Sequence, residues 1–209
     1  METQTKEVTV CGPEQLLYLL SNQEDTNLYQ HFKNWIRENA KDIVFEISEM
    51  NLPDNVPGFT MDDVIYINNK WLTEIELCNA IFPLIHEIGH AKDFKSIIDE
   101  PGVQSSEDFE KFIEEVITIE KRVDNYAEQE CLKINSKVIE NPLKNKRTGF
   151  MFFNSGDEKI NIYKQPFNFQ SYMTQFRSFM KQNHDFWIEN KEKYPTFDLA
   201  MKEMYFNKK

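Results

Sequence analysis

The stretch Ile81-Phe82-Pro83-Leu84-Ile85-His86-Glu87-Ile88-Gly89-His90-Ala91 holds two histidines four positions apart, with a glutamate directly after the first. On a helix, residues i and i+4 lie one above the other on one face. His86 and His90 can therefore reach one Zn²⁺ ion at about 2.0–2.1 Å. Glu87 can point into the same site, where it would take a proton from metal-activated water and later hand it to a leaving amine. Zinc brings the pKa of such a water to about 7, which makes a hydroxide nucleophile available at neutral pH. A chance match on an amphipathic helix is the plain alternative. Uncharged Ile88 and Gly89 between the two histidines argue against it.

A helix is expected around this stretch. Thr73-Glu74-Ile75-Glu76 has the capping-box form, so the helix should begin near Thr73 and run to about Phe94. Pro83 removes one backbone hydrogen bond and is expected to kink it one turn before His86.

A catalytic zinc site needs a third protein ligand. No histidine follows closely, which excludes the H-E-x-x-H-x-x-G-x-x-H arrangement. A carboxylate on the next helix is the alternative. That helix, capped by Ser105-Ser106, carries Glu107, Glu110, Glu114, Glu115, Glu120, Glu128 and Glu130, most of which must form a solvated face. Glu120 stands in an apolar frame of Val116, Ile117, Ile119 and Val123, and Asp124 follows four residues later. Glu120 can bind the metal while Asp124 accepts a hydrogen bond from the distal nitrogen of a ligating histidine. Glu114 and Glu115 are the other candidates.

Working outward, Gly12-Pro13 opens a short helix through Leu20, and residues 25–40 read as an amphipathic helix presenting Leu28, Phe32, Trp35 and Ile36. Residues 43–47 and 64–67 read as strands, with a proline-containing loop at 51–58 between them and a turn at Asn68-Asn69. Asn154-Ser155-Gly156-Asp157 reads as the turn of a β-hairpin. Phe- and Met-rich helices follow from Pro166, the last near residues 197–206.

The chain has 209 residues, a length that buries a core without a disulfide or metal staple. Lys+Arg 24 against Asp+Glu 35 gives a net charge of −11, which disfavours a nucleic-acid partner. Cys11, Cys78 and Cys131 are an odd number with no C-x-x-C, as expected in a reducing compartment. Residues 1–20 lack a basic region and a cleavage site, and no 18-residue apolar run exists. A cytoplasmic protein without a membrane partner is the expectation.

Val64-Ile65-Tyr66-Ile67-Asn68, followed by the helix reading Ile81 to Ala91, resembles the ImmA/IrrE family of metallopeptidases. There, a strand ending in an apolar-Asn step precedes a helix of the form F-T-L-A-H-E-L-G-H-A. Glu120-Lys121-Arg122-Val123-Asp124-Asn125-Tyr126-Ala127 is similar to the family's downstream segment, in which a Glu precedes an Ala-Asn or Ala-Asp step and Phe-Ala. The resemblance spans roughly Gly58 to Leu132. It implies zinc ligands His86, His90 and Glu120, one zinc per chain, with Glu87 as general base. It also implies an α+β fold: a zincin-like metallopeptidase core with a small sheet packed on the active-site helix, and helix-rich flanks. The expected division is 1–57 packing on the core, 58–145 as the core, and 146–209 as a hairpin with a helical extension.

The function expected is a zinc metalloendopeptidase cleaving a protein substrate, which in the resembled family is a repressor of mobile elements or stress-response genes. His184, Tyr126 and Tyr194 are candidate second donors to an oxyanion by residue type alone. A non-catalytic interaction module is the alternative, docking through its acidic surface and its Phe/Met-rich helices. Those helices read first as core. Glu87 argues against the module, because a purely structural site has no use for a base between its ligands. Hydrolysis of a non-peptide amide is a third reading that the same chemistry permits.

Overall fold

The computed structural model describes residues 9–21, 26–50, 57–61, 64–93, 106–134 and 169–206. The expected hairpin around residues 154–157 lies outside them. The described fold is mixed α+β and mostly helical, with one small sheet. In chain order its elements are β1 (Thr9–Cys11), α1 (Pro13–Leu20), α2 (Thr26–Asn39), β2 (Val44–Ser48), β3 (Gly58–Met61), β4 (Val64–Asn68), α3 (Asn69–Glu74), α4 (Leu77–Asp93), α5 (Ser106–Ile134), α6 (Phe169–Glu189) and α7 (Phe197–Phe206). No described helix is long and apolar enough to cross a membrane.

The sheet runs β1-β2-β4-β3, with β2 and β4 parallel and the two outer strands antiparallel to their neighbours. Side chains alternate across a strand, so the register decides which layer each residue meets. Phe45, Ile47, Ile65 and Ile67 face one layer and are buried with Leu16, Leu17, Leu20, Phe32, Ile36, Ile81, Ile85 and Ile88. Tyr66 faces the other layer, in a second cluster with Met50, Trp187, Tyr194 and Ala200. The sheet is thus covered on both faces, by α1, α2 and α4 on one and by α6 and α7 on the other. Residues from the N-terminal stretch through α5 share a single core, so β1, α1, α2 and β2 are integral to the body that holds α4.

β3 is held to β4 by the pairs Gly58↔Ile67, Phe59↔Tyr66, Thr60↔Ile65 and Met61↔Val64. Gly58 adopts φ +147, and a Cβ placed there would lie 1.8 Å from the Tyr66 carbonyl oxygen. Only glycine permits that approach. Phe59 stacks on Tyr66 with ring centroids 5.3 Å apart, which places Thr60 on the opposite face, toward α4.

The chain corrects the expected single helix from Thr73. It breaks at Ile75-Glu76 into α3 and α4. Asn68, expected in a turn, caps α3: its side chain accepts from the Lys70 backbone N–H at 3.2 Å. The Thr73 hydroxyl is turned back onto the Asn69 and Lys70 carbonyls and caps nothing. The Glu76 carbonyl instead opens α4, accepting from the N–H groups of Asn79 and Ala80. Pro83 sits inside α4, and the helix continues through it to Asp93.

A buried polar contact fixes α5 to α2. The Trp35 indole donates to Glu130 Oε2 at 2.8 Å, and Lys133 Nζ lies 2.6 Å from Glu130 Oε1. Burial works against the Glu130 carboxylate, but Lys133 and Trp35 together hold its pKa below the usual value.

Candidate metal centre

α5 is amphipathic, and its buried stripe runs through Ile113, Val116, Ile117, Val123, Ala127, Cys131 and Ile134. Glu120 and Asp124 occupy the same stripe at i+3 and i+4 steps, so helical periodicity alone turns both carboxylates toward α4. Gly89 allows the two helices to meet closely. A Cβ there would lie 3.0 Å from both the Val123 and the Tyr126 side chains.

The result is a convergence of three side chains. His86 Nε2 and His90 Nε2 are 3.1 Å apart. Glu120 Oε2 lies 3.2 Å from His86 Nε2, and Glu120 Oε1 lies 3.3 Å from His90 Nε2. Behind His86, Asp124 Oδ1 is 3.1 Å from Nδ1. Once the ring gives up its second proton, an Nδ1–H donated to that carboxylate would leave the Nε2 lone pair facing His90 and Glu120. Ile85 and Ile88 are fully buried beside the motif.

This donor set fits a divalent cation. In a tetrahedral site with ligands about 2.0 Å from the metal, neighbouring ligand atoms are about 3.3 Å apart, close to the three separations found here. Glu120 Oε2 is buried and, although near His86, has no partner in hydrogen-bond geometry. A buried carboxylate oxygen is costly unless positive charge meets it, which a protonated His86, 3.2 Å away, or a bound cation can supply. His86, His90 and Glu120 together can therefore hold a metal ion.

The electrostatics carry the same signature. Burial alone would push the His86 imidazole down, but the carboxylates of Asp124 and Glu120 outweigh it and raise the pKa to about 10. Burial raises Glu120, and the two imidazoles overcome it and hold that carboxyl far below the usual range. Bare, the cluster therefore keeps a proton on His86 at neutral pH, and a cation must displace it. The raised pKa favours the protonated form, so acid opposes the metal. Metal uptake at pH 7 is expected to release about one proton, with affinity falling about tenfold per pH unit on acidification. Titration calorimetry in buffers of different ionisation heat checks this, and a heat independent of buffer would contradict it.

Glu87 is buried, with 7% of its surface exposed. Its Oε2 accepts from the Thr60 hydroxyl at 2.8 Å. Burial raises its carboxyl pKa, against the opposing pull of His90 and His86. Thr60 is the residue that the sequence reading missed. Its only signal is a position in the short run after Gly58.

Among the other candidates, Glu114 and Glu115 are exposed, and Glu114 pairs with Arg177 of α6. Tyr126 lies on the α4–α5 interface against Gly89, its hydroxyl 3.5 Å from Lys92 Nζ. His184 and Tyr194 belong instead to the packing around Trp187. The His184 ring meets that indole edge-on, and the Tyr194 carbonyl accepts from it. Asp124→Ala is expected to lower metal affinity about 10- to 100-fold by freeing the His86 ring. Competition against a chromophoric chelator measures this, and unchanged affinity would make the 3.1 Å contact incidental.

Comparison of the chain with family models, with curated proteins and with solved structures gives no match in any of the three.

Proposed function

We propose that the protein is a zinc-dependent metalloendopeptidase with a zincin-like core that cleaves a protein substrate, a regulator such as a repressor being the kind of target that the resemblance to the ImmA/IrrE family implies. The observation that carries this reading is the triangle of His86 Nε2, His90 Nε2 and a Glu120 carboxylate, with separations of 3.1 to 3.3 Å. Beside it stands a buried glutamate, Glu87, that is not part of the triangle. A structural site gains nothing from burying a carboxylate that neither reaches the metal nor supports a ligand, whereas a hydrolytic site needs a base there.

Zinc bound to these three side chains would supply Lewis acidity to a scissile carbonyl and to a water molecule. The chain's own residues do the rest. Asp124 orients the His86 ring. Glu120 supplies negative charge that keeps the imidazoles and the cation together. Glu87, its proton affinity raised by burial, is suited to accept a proton from the attacking water and to return it to the leaving amine.

The test is a comparison of protein N-termini in cells expressing the wild type or the Glu87→Gln variant. New N-termini that appear only with the wild type are expected. Identical profiles, with both proteins carrying zinc, would remove the peptidase reading and favour the non-catalytic module.

A further inference from the structure

We propose that Thr60 is a positioning residue for Glu87, an inference that rests on reading Glu87 as the general base. Two contacts meet at one oxygen. Thr60 Oγ1 lies 2.8 Å from Glu87 Oε2 and 3.1 Å from the Glu87 backbone carbonyl. The single hydroxyl hydrogen is donated to the nearer carboxylate oxygen, with the Glu87 carbonyl close enough to share it, so the carboxylate is held next to the backbone of the helix that carries both histidines. A free glutamate side chain has three rotatable bonds, and a base must be held close to its productive geometry to be effective.

The register is what delivers this hydroxyl. Thr60 pairs with Ile65, whose side chain is buried on the α4 face of the sheet. A slip of one residue would present Phe59 or Met61 to Glu87 in place of a hydroxyl. Gly58, at φ +147 with no room for a Cβ, pins the strand in that register. A hydroxyl also both donates and accepts. Thr60 can face the carboxylate as a donor, and it can face the protonated carboxyl as an acceptor while donating to the Glu87 carbonyl. One residue thus holds the base in both of the forms a proton-transfer cycle requires.

Two variants separate the hydroxyl from the shape of the residue. Thr60→Val keeps the branched side chain and removes the hydroxyl, and Thr60→Ser keeps the hydroxyl. In zinc-loaded full-length protein, Thr60→Val should lower the urea midpoint, and Thr60→Ser should largely restore it. In a Glu87→Ala background, Thr60→Val should have little further effect. An equal loss in both backgrounds overturns the inference, because it would mean that Thr60 acts through β3 alone. Zinc affinity should stay within a few-fold of wild type, and a large fall would overturn it by placing the effect on the ligands. In cells, the yield of Glu87-dependent N-termini should drop about 10- to 100-fold for Thr60→Val and recover for Thr60→Ser. Wild-type yield from Thr60→Val overturns the positioning role while leaving the peptidase standing. Absence of such N-termini from the wild type itself overturns the peptidase reading, and the role of Thr60 falls with it.

Discussion

Glu87→Gln is expected to keep its zinc and to lose cleavage by about 10²- to 10⁴-fold, the range that a positioned acid–base group contributes. Glutamine has nearly the same shape and can still accept from the Thr60 hydroxyl, whose oxygen is 2.8 Å from Glu87 Oε2. What it cannot do is take a proton. Glu87 also lies outside the set of atoms that converge on the metal position, so removing its charge leaves every ligand in place. Stability should hold or rise, because the substitution removes a carboxylate whose ionised form burial disfavours. Zinc stoichiometry and N-terminal profiling on the same preparation decide the matter. Loss of zinc would make Glu87 a ligand, and full cleavage would move the base elsewhere.

Glu120→Ala carries the second large effect. It removes the only carboxylate among the three described residues that could hold a metal ion and leaves two histidines. Affinity for zinc should fall well beyond the roughly 10- to 100-fold typical of a lost supporting contact. Activity should fall with it unless zinc is in large excess. Glu114→Ala and Glu115→Ala are the matched controls. Both residues are exposed on the same helix, and surface substitutions of this kind are usually within about 0.5 kcal/mol of neutral. Equal zinc affinity in Glu120→Ala and wild type, by competition with a chelator, would remove Glu120 from the site.

The site was more legible in the sequence than the sheet that frames it. His86 and His90 on one helix, and Glu120 and Asp124 on the next, are each spaced by about one helical turn, and such spacing survives translation into three dimensions with little outside help. α1, α2, β2, β4 and α7 were legible for similar reasons. Pro13 marks a helix start, residues 43–47 mix apolar residues with an acidic one as a half-buried strand does, and residues 64–67 are a short apolar run. β1 and β3 were not legible. They are edge strands of three and four residues, too short to show a period, and pairing with β2 and β4 is what extends them. Thr60 depends on that pairing and could not be singled out without it. The boundary between α3 and α4 was misplaced because Thr73 has the right partner in sequence, Glu76, while Asn68 one turn earlier offers a stronger cap. The helices at residues 169–206 were expected first as core, and Trp187 and Tyr194 are indeed buried against Tyr66.

The placement of the ligands on two successive helices has a mechanical consequence. A cation gripped by His86 and His90 from α4 and by Glu120 from α5 would close a chain loop of about thirty residues, and binding the folded chain alone it would stabilise it in proportion to the logarithm of its concentration over its dissociation constant. The cysteines form no disulfide of their own. Among the described residues the ion would act as a staple, and a reversible one. Because α5 is tied at its far end to α2 through Trp35 and Glu130, pulling on either terminus of that helix loads the same clasp. Chelation of such an ion should therefore speed proteolytic clipping of the body it clasps, so that metal supply would set how long each molecule persists.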